Sequence, residues 1–413
     1  MFVKNAGKGQ GDEQQLTRHE STGAAQPRPH WPALDGLRAV AVVAVMIYHF
    51  TWERYLSFPG LLPGGYLGVD VFFVLSGFLI TSLLIGEWDK RDGAVSFRNF
   101  YARRALRLFP ALACVIVGAL VLALALRQSG GYAQSTFSGL PWVIGYVGNW
   151  SEALRYGTLG ALGHTWSLAV EEQFYLLWPA LFVLLMRRRS RRGQLALLLA
   201  LLAAAEMAAR AVLAHAGANP SRLYFGTDSH SDGLLLGAAV AFWLSSGHAA
   251  RLTPAAHQLL RAGTWLGTTL LAILFVFGNL TAAPWQISAA VLASGMIMTG
   301  LVAGDHPAAL NRLLSAKAAV WIGRRSYGLY LWHYVVFAAA WTGYGHYLRS
   351  HPAARTTTQH LIYTALFGAA AIASFIIAAI SYRFIERPIL RLKRRFYGGR
   401  ASGHHRKQPS VVA

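Results

Sequence analysis

Apolar residues recur along this chain in runs close to the length of a bilayer-spanning helix, separated by short segments rich in arginine. A helix needs about 20 predominantly apolar residues to cross hydrocarbon. Runs of that kind predict spans near 37–53, 66–86, 108–126, 164–186, 194–214, 230–246, 263–279, 285–303, 318–341 and 360–384. The expected fold is therefore an all-α membrane protein of about ten transmembrane helices. The stretch 139–150, GLPWVIGYVGNW, is too short and too rich in Gly and Pro for a span, and reads as an interfacial or re-entrant piece.

Positive charge tests that map, because cytoplasmic loops of membrane proteins hold an excess of Lys and Arg. With the N-terminus inside, the inner segments hold 31 of the 38 Lys and Arg, the outer loops hold 6, and Arg210 lies within a span. Both termini are expected in the cytoplasm, and the chain in the cell membrane. An eleventh span would invert every later loop and destroy the asymmetry. The formal charge of +21, spread over inner loops, points to anionic lipid headgroups and away from nucleic acid.

Composition narrows the class further: 54% hydrophobic and 13% charged residues exclude an ordinary soluble domain. Residues 1–33 are polar and lack the apolar core of a signal peptide, so they read as a disordered cytoplasmic tail. Residues 34–390 form the expected transmembrane domain and 391–413 a basic cytoplasmic tail. The single cysteine, Cys114, excludes an internal disulfide and reads as a buried, inert thiol.

Polar groups inside the expected spans mark candidate chemistry, since burying them in lipid is costly. Arg38 and His49 lie eleven residues apart in LDGLRAVAVVAVMIYHF. At about 100° and 1.5 Å per residue they share one helix face, roughly 16 Å apart. Asp70 opens the second span beside several glycines suited to close helix packing, and reads as a cap or as the partner of a cation. Arg103, Arg104 and Arg107 stand at the start of the third, with Arg104 and Arg107 on one face. Their spacing alone fits either topological anchoring or phosphate recognition by forked guanidinium donors.

The fourth span begins HTWSLAVEEQ, carrying His164 and the adjacent acids Glu171 and Glu172, at least one of which needs a cation or a polar cleft. Glu206 and Arg210 have the spacing of an intrahelical ion pair. Asp228, His230 and Asp232 form a weak cluster better explained by capping and hydrogen bonding than by a metal. In the ninth span Ser326, Tyr330 and His333 fall near one stripe, and His333 fits a packing role as well as a chemical one. Near the C-terminus Glu386 is expected to pair with Arg383, and Pro388 to stop the helix.

Taken in order, LDGLRA with His49, GVDVFFVLSGFLIT, FYARRALRLFPAL, HTWSLAVEEQFYLLWP, TDSHSDGLLLGA, RRSYGLYLWH and YRFIERP resemble the membrane-bound acyltransferase-3 family over roughly residues 34–390. The resemblance implies O-acyl transfer from acyl-CoA, a donor substrate reached from the cytoplasm, with no permanently bound cofactor and no metal. The implied acceptor is a hydroxyl of a carbohydrate, a cell-envelope glycan or lipid-linked sugar, or a glycosylated macrolide-like product. His49 matches the family's essential histidine and Arg38 its partner arginine, while Arg104 and Arg107 become the donor-binding pair. Ser326 and Tyr330 join them as donor contacts, and Glu171 or Glu172 is expected to orient a histidine or bind the acceptor. Whether His49 acts as a base or carries the acyl group itself stays open. Some family members add an extracytoplasmic esterase-like domain; about 25 residues beyond Pro388 give the expectation of a stand-alone form.

A proton-coupled transporter or flippase would also use intramembrane His, Glu and Arg, but no inverted repeat or paired broken helices are evident here. The topology is directly testable. Reporter fusions after residues 130, 220 and 350 are expected to lie outside, and a cytoplasmic signal from any of them would overturn the map.

Overall fold

Local sequence signals set where the helices begin. The computed structural model describes residues 31–51, 61–126, 131–188, 191–279, 284–351 and 356–392, and these contain helices and no strand. Helix α1 spans Pro32–Thr51, α2 Gly68–Lys90 and α3 Phe97–Ala125. The third helix starts well before the expected residue 108, because Ser96 accepts a hydrogen bond from the Asn99 N–H at 3.3 Å and caps it. That early start places Arg103, Arg104 and Arg107 on the helix itself.

The stretch read as interfacial or re-entrant falls on two short helices, α4 (Gly131–Ile144) and α5 (Gly148–Ala153). Next come α6 (Trp166–Arg187), α7 (Arg192–His215), α8 (Pro220–Phe225) and α9 (Asp232–Ser245). Helices α8 and α10 (Pro254–Phe277) both follow a side-chain cap, Asn219 and Thr253 respectively, with proline in the first turn. The remainder is α11 (Pro284–Ala303), α12 (Ala308–Leu314), α13 (Lys317–Gly323), α14 (Ser326–Ser350), α15 (Thr356–Ser381) and α16 (Arg387–Leu392).

Among the described residues, 8 helical stretches are long and apolar enough to cross a membrane. The other two expected spans are helical but differ from the rest. Helix α9 has 14 residues, and at about 1.5 Å per residue it falls short of the roughly 30 Å hydrocarbon layer. The span expected at 318–341 is two helices, α13 and the 25-residue α14, broken at Arg324 and Arg325. The break lies where Gly323 packs so closely on α1 that an added Cβ would sit 1.8 Å from the Asp35 carbonyl oxygen.

The short α9 has no exposed residue. It lies against α2 at a reciprocal glycine contact: a Cβ on Gly77 would meet the Leu234 carbonyl oxygen at 2.0 Å, and one on Gly237 the Val74 carbonyl oxygen at 2.0 Å. Only glycine permits that approach. On its other side α9 meets α7 through charge. Arg210 donates to both Asp232 carboxylate oxygens, at 3.1 and 2.6 Å, and to the Ser229 carbonyl and Ser288 hydroxyl at 2.5 and 2.7 Å.

This overturns the expected intrahelical pair of Glu206 and Arg210. Glu206 instead accepts from the backbone N–H groups of Ser231 and Asp232, at 2.5 and 3.1 Å, and from the Ser231 hydroxyl at 2.9 Å. The start of α9 supplies unsatisfied N–H donors, and a carboxylate is their natural acceptor. Near the C-terminus a π-helical turn at Tyr382–Glu386 carries the chain into α16, so Pro388 does not stop the helix. Glu386 there accepts from Ser381 at 3.3 Å and forms no ion pair with Arg383. The tails expected at 1–33 and 391–413 lie almost wholly outside the described residues.

The Arg210–Asp232 pair has both side chains at 0% exposure, so removing one partner strands a charge. Arg210→Met is expected to cost about 3–5 kcal/mol of stability, with much of it recovered in Arg210→Met/Asp232→Leu. Thermal denaturation in detergent measures both; a single variant as stable as the parent would show the pair is dispensable.

Candidate active site

Helix α1 delivers its two polar groups into two different cavities. Arg38 lines one together with Arg104, Arg107 and Glu171, and His49 lines the other with His164. We call them the arginine cavity and the histidine cavity. Val69 on α2 and Tyr330 on α14 line both.

In the arginine cavity three guanidinium groups face one lining carboxylate, a balance suited to an anionic ligand. Arg104 stacks on the Tyr175 ring at 3.4 Å and pairs with Glu172 at 3.7 Å, while its buried Nε has no hydrogen-bond partner. Arg38 pairs with Asp35 at 3.3 Å. Arg107 is exposed and makes no ion pair among the described residues. Glu171 accepts from the Ser76 hydroxyl at 2.6 Å. Ser326 and Tyr330 line this cavity as well, so the residues expected to contact a donor come together.

The two acids disagree with one expectation. Among the described residues neither Glu171 nor Glu172 bonds a histidine; their partners are Ser76 and Arg104. The reason is distance along the helix axis. His164 precedes α6 by two residues and turns into the histidine cavity, whereas Glu171 lies about two turns further on, at the arginine cavity.

In the histidine cavity the sequence separated what the fold assembles. His333 Nε2 lies 3.2 Å from His49 Nδ1, and the centroid of the His164 ring is 5.6 Å from that of His333. His164 also stacks on Tyr334 at 4.9 Å. Backbone carbonyls only accept, which fixes the tautomers: His333 Nδ1 donates to Leu329 O at 3.1 Å, so its Nε2 carries a lone pair. His49 Nδ1 lies 3.0 Å from Val45 O and, facing that lone pair as well, must be the protonated nitrogen. The lone pair of His49 is therefore on Nε2. An imidazole held in that tautomer is equipped to take a proton.

His164 was visible in the sequence as a polar residue near a span, but nothing in its spacing tied it to His49. Ser76, Ser167, Tyr175 and Glu152 were missed altogether, because serines and tyrosines in apolar helices give no distinctive pattern. Glu152 lines the histidine cavity from α5 and accepts from the Leu159 N–H at 3.1 Å; burial holds its pKa above the usual carboxylate range.

The cluster of Asp228, His230 and Asp232 is dispersed. Asp228 pairs with Arg222 at 2.6 Å, His230 with Asp70 at 2.8 Å and Asp232 with Arg210. Asp70, expected to cap the helix or to pair with a cation, is hydrogen-bonded to the imidazole of His230. Among the described residues no group of three or more His, Cys, Asp or Glu side chains is arranged to hold a metal.

Comparison with known proteins bears on this geometry. Residues 31–381 match the acyltransferase-3 family, described as an acyltransferase domain. The chain belongs to that family. It is 35% identical over 390 residues to a peptidoglycan O-acetyltransferase, OatA, of Listeria monocytogenes, covering 88% of this chain and 56% of that protein. It is 34% identical over 385 residues to the putative peptidoglycan O-acetyltransferase YrhL of Bacillus subtilis, covering 87% and 54%. To the O-acetyltransferase OatA of Staphylococcus aureus it is 34% identical over 373 residues, covering 87% and 57%. The chain thus spans a little over half the length of these relatives. No solved structure matches it.

Proposed function

We propose that this chain is an integral membrane O-acyltransferase that moves an acetyl group from acetyl-CoA to a hydroxyl of a cell-envelope glycan. The observation that carries the reading is the pairing on one helix of a cationic cavity, reached by Arg38, with an imidazole base, His49, in the adjoining cavity. The names of the relatives, O-acetyltransferases of peptidoglycan in two cases, support the acetyl group and the glycan.

In this reading Arg104 and Arg107 bind the phosphates of the donor, since a guanidinium fork suits phosphate oxygens. Glu172 keeps Arg104 in place, Arg38 adds positive charge beside Ser326, and Glu171 holds Ser76. The acceptor hydroxyl enters the histidine cavity. His49 Nε2 takes its proton as the oxygen attacks the thioester carbonyl carbon, and His333 accepts from Nδ1 so that the positive charge on the ring is spread. The carbon–sulfur bond then breaks, the imidazolium returns the proton to sulfur, and CoA leaves as the thiol. The tyrosines and Trp166 lining this cavity give flat apolar faces for a sugar ring, with Glu152 as an acceptor for its hydroxyls.

Radiolabelled acetyl-CoA offered to the purified protein in detergent with a panel of hydroxyl acceptors tests the reading. Label in the acceptor is expected, and uptake into vesicles without any transfer would overturn it in favour of transport. His49→Ala is expected to lower turnover at saturating acetyl-CoA by about 10²–10⁴-fold, the usual contribution of a general base, with thermal stability retained. His333→Ala is expected to fall less, because it removes only the partner of the base.

Donor binding separates from chemistry. Arg104→Ala or Arg107→Ala is expected to weaken acetyl-CoA binding by about 1.5–3 kcal/mol, roughly tenfold or more, through loss of a charged hydrogen bond. Replacement by Lys restores the charge without the fork and is expected to recover affinity only in part. Unchanged affinity in folded variants, measured by titration, would return these arginines to the role of topological anchors.

A further inference from the structure

The two cavities adjoin without merging, and the residues common to both identify the wall between them: Val69 and Tyr330. Val69 is a small aliphatic side chain, so the ring of Tyr330 forms the larger part. Its position is fixed by more than packing. The Tyr330 hydroxyl donates to the His164 carbonyl oxygen at 2.9 Å, and the Ser167 hydroxyl, 2.7 Å away, is left to donate to the Tyr330 oxygen. Tyr330 is buried at 6% exposure; its partner His164 lies just before α6 and its partner Ser167 in the first turn of α6.

We propose that Tyr330 is the septum of this protein, a positioning residue whose ring closes the passage between the arginine and histidine cavities and whose hydroxyl latches that ring to His164 and Ser167. The argument rests on the acyltransferase reading in one respect: a thioester bound beside the arginines meets His49 only by passing this wall. A permanently open path would join two polar cavities through an apolar bundle and admit water to the thioester, so that hydrolysis competes with transfer. A latch made of two neutral hydrogen bonds, each a modest net contribution once water can replace the partner, is one that a bound donor can displace. The backbone link to His164 also means that release of the latch reaches a histidine of the other cavity.

Cysteine accessibility tests the septum without relying on turnover. The single native cysteine allows a cysteine-free background, Cys114→Ala. Into it go Ser76→Cys, which reports on the arginine cavity alone, or Thr158→Cys, which reports on the histidine cavity alone. A membrane-impermeant quaternary-ammonium methanethiosulfonate is added to sealed vesicles of either orientation. With Tyr330 intact the two cysteines are expected to label from opposite faces, each from one face only. Adding Tyr330→Ala is expected to let Ser76→Cys label from the second face at a rate approaching that from the first, while Tyr327→Ala, which removes a ring from the arginine cavity but not from the shared wall, leaves it protected. Should Tyr330→Ala not fold, Tyr330→Leu keeps apolar bulk while removing ring and hydroxyl, and carries the same expectation.

Labelling of either cysteine from both faces in the parent, from neither, or of both from the same face would overturn the septum. So would continued protection in the folded Tyr330 variants, or equal opening by Tyr327→Ala. Acetyl-CoA turnover by the parent, measured on the same vesicles, reports separately on the acyltransferase reading. Either can fail while the other stands.

Discussion

An arginine and an imidazole on one apolar helix cannot be left to lipid, and the rest of the site follows from how the protein solvates them. Burying an ion without partners costs several kcal/mol or more, and a paired ion needs close geometry to recover that cost. Helix α1 meets the constraint by giving each group a cavity of its own: Arg38 turns toward other arginines, offset by Asp35, Glu171 and Glu172, and His49 toward a second histidine and a ring of tyrosines. The eleven-residue interval between them sets the separation of the two cavities along the helix.

The same constraint is met differently away from these two cavities. Around α9 the charges are consumed within the protein: Arg210 by Asp232, Glu206 by the N–H groups opening α9, and Asp70 by His230. These groups use most of their bonding capacity on one another, although the buried Asp70 Oδ2 and Arg210 Nε have no hydrogen-bond partner among the described residues. Arg107, by contrast, is exposed at a cavity and makes no ion pair among the described residues. Arg210, ion-paired within the bundle, and Arg107, left at a cavity without such a pair among the described residues, mark scaffold and site more sharply than their positions along the chain do.

Much of this was legible in the sequence, for identifiable reasons. Hydrophobic runs of bilayer length locate most of the helices, and the helical period puts Arg104 with Arg107 and Arg38 with His49. What period cannot supply is the partner on another helix. Glu206 and Arg210 satisfy every local rule for an ion pair and still choose partners across the α7–α9 contact, because α9 brings bare N–H groups and a carboxylate within reach. The meeting of His49 with His333, 284 positions apart, is likewise a product of the fold and not of any spacing. Boundaries failed where the deciding residue was polar or small: Ser96 extends α3 backwards, and Gly323 ends α13 against α1.

The tautomers carry the argument one step further. Because Leu329 O forces the proton of His333 onto Nδ1, its Nε2 is obliged to accept, and the only arrangement that satisfies both the Val45 carbonyl and His333 puts the His49 proton on Nδ1. In the neutral ring, two backbone carbonyls on separate helices thus determine which nitrogen of His49 has a lone pair. A carboxylate is the more familiar partner for the N–H of a general-base histidine; here a neutral imidazole takes that place, orienting the ring and accepting a hydrogen bond as charge develops. The acids of α6 lie instead among the arginines, where their charge offsets guanidinium groups without disturbing the base. Placing the acids of α6 with the arginines, and a neutral ring as the partner of His49, lets one bundle hold an anion-binding cavity and a general base side by side.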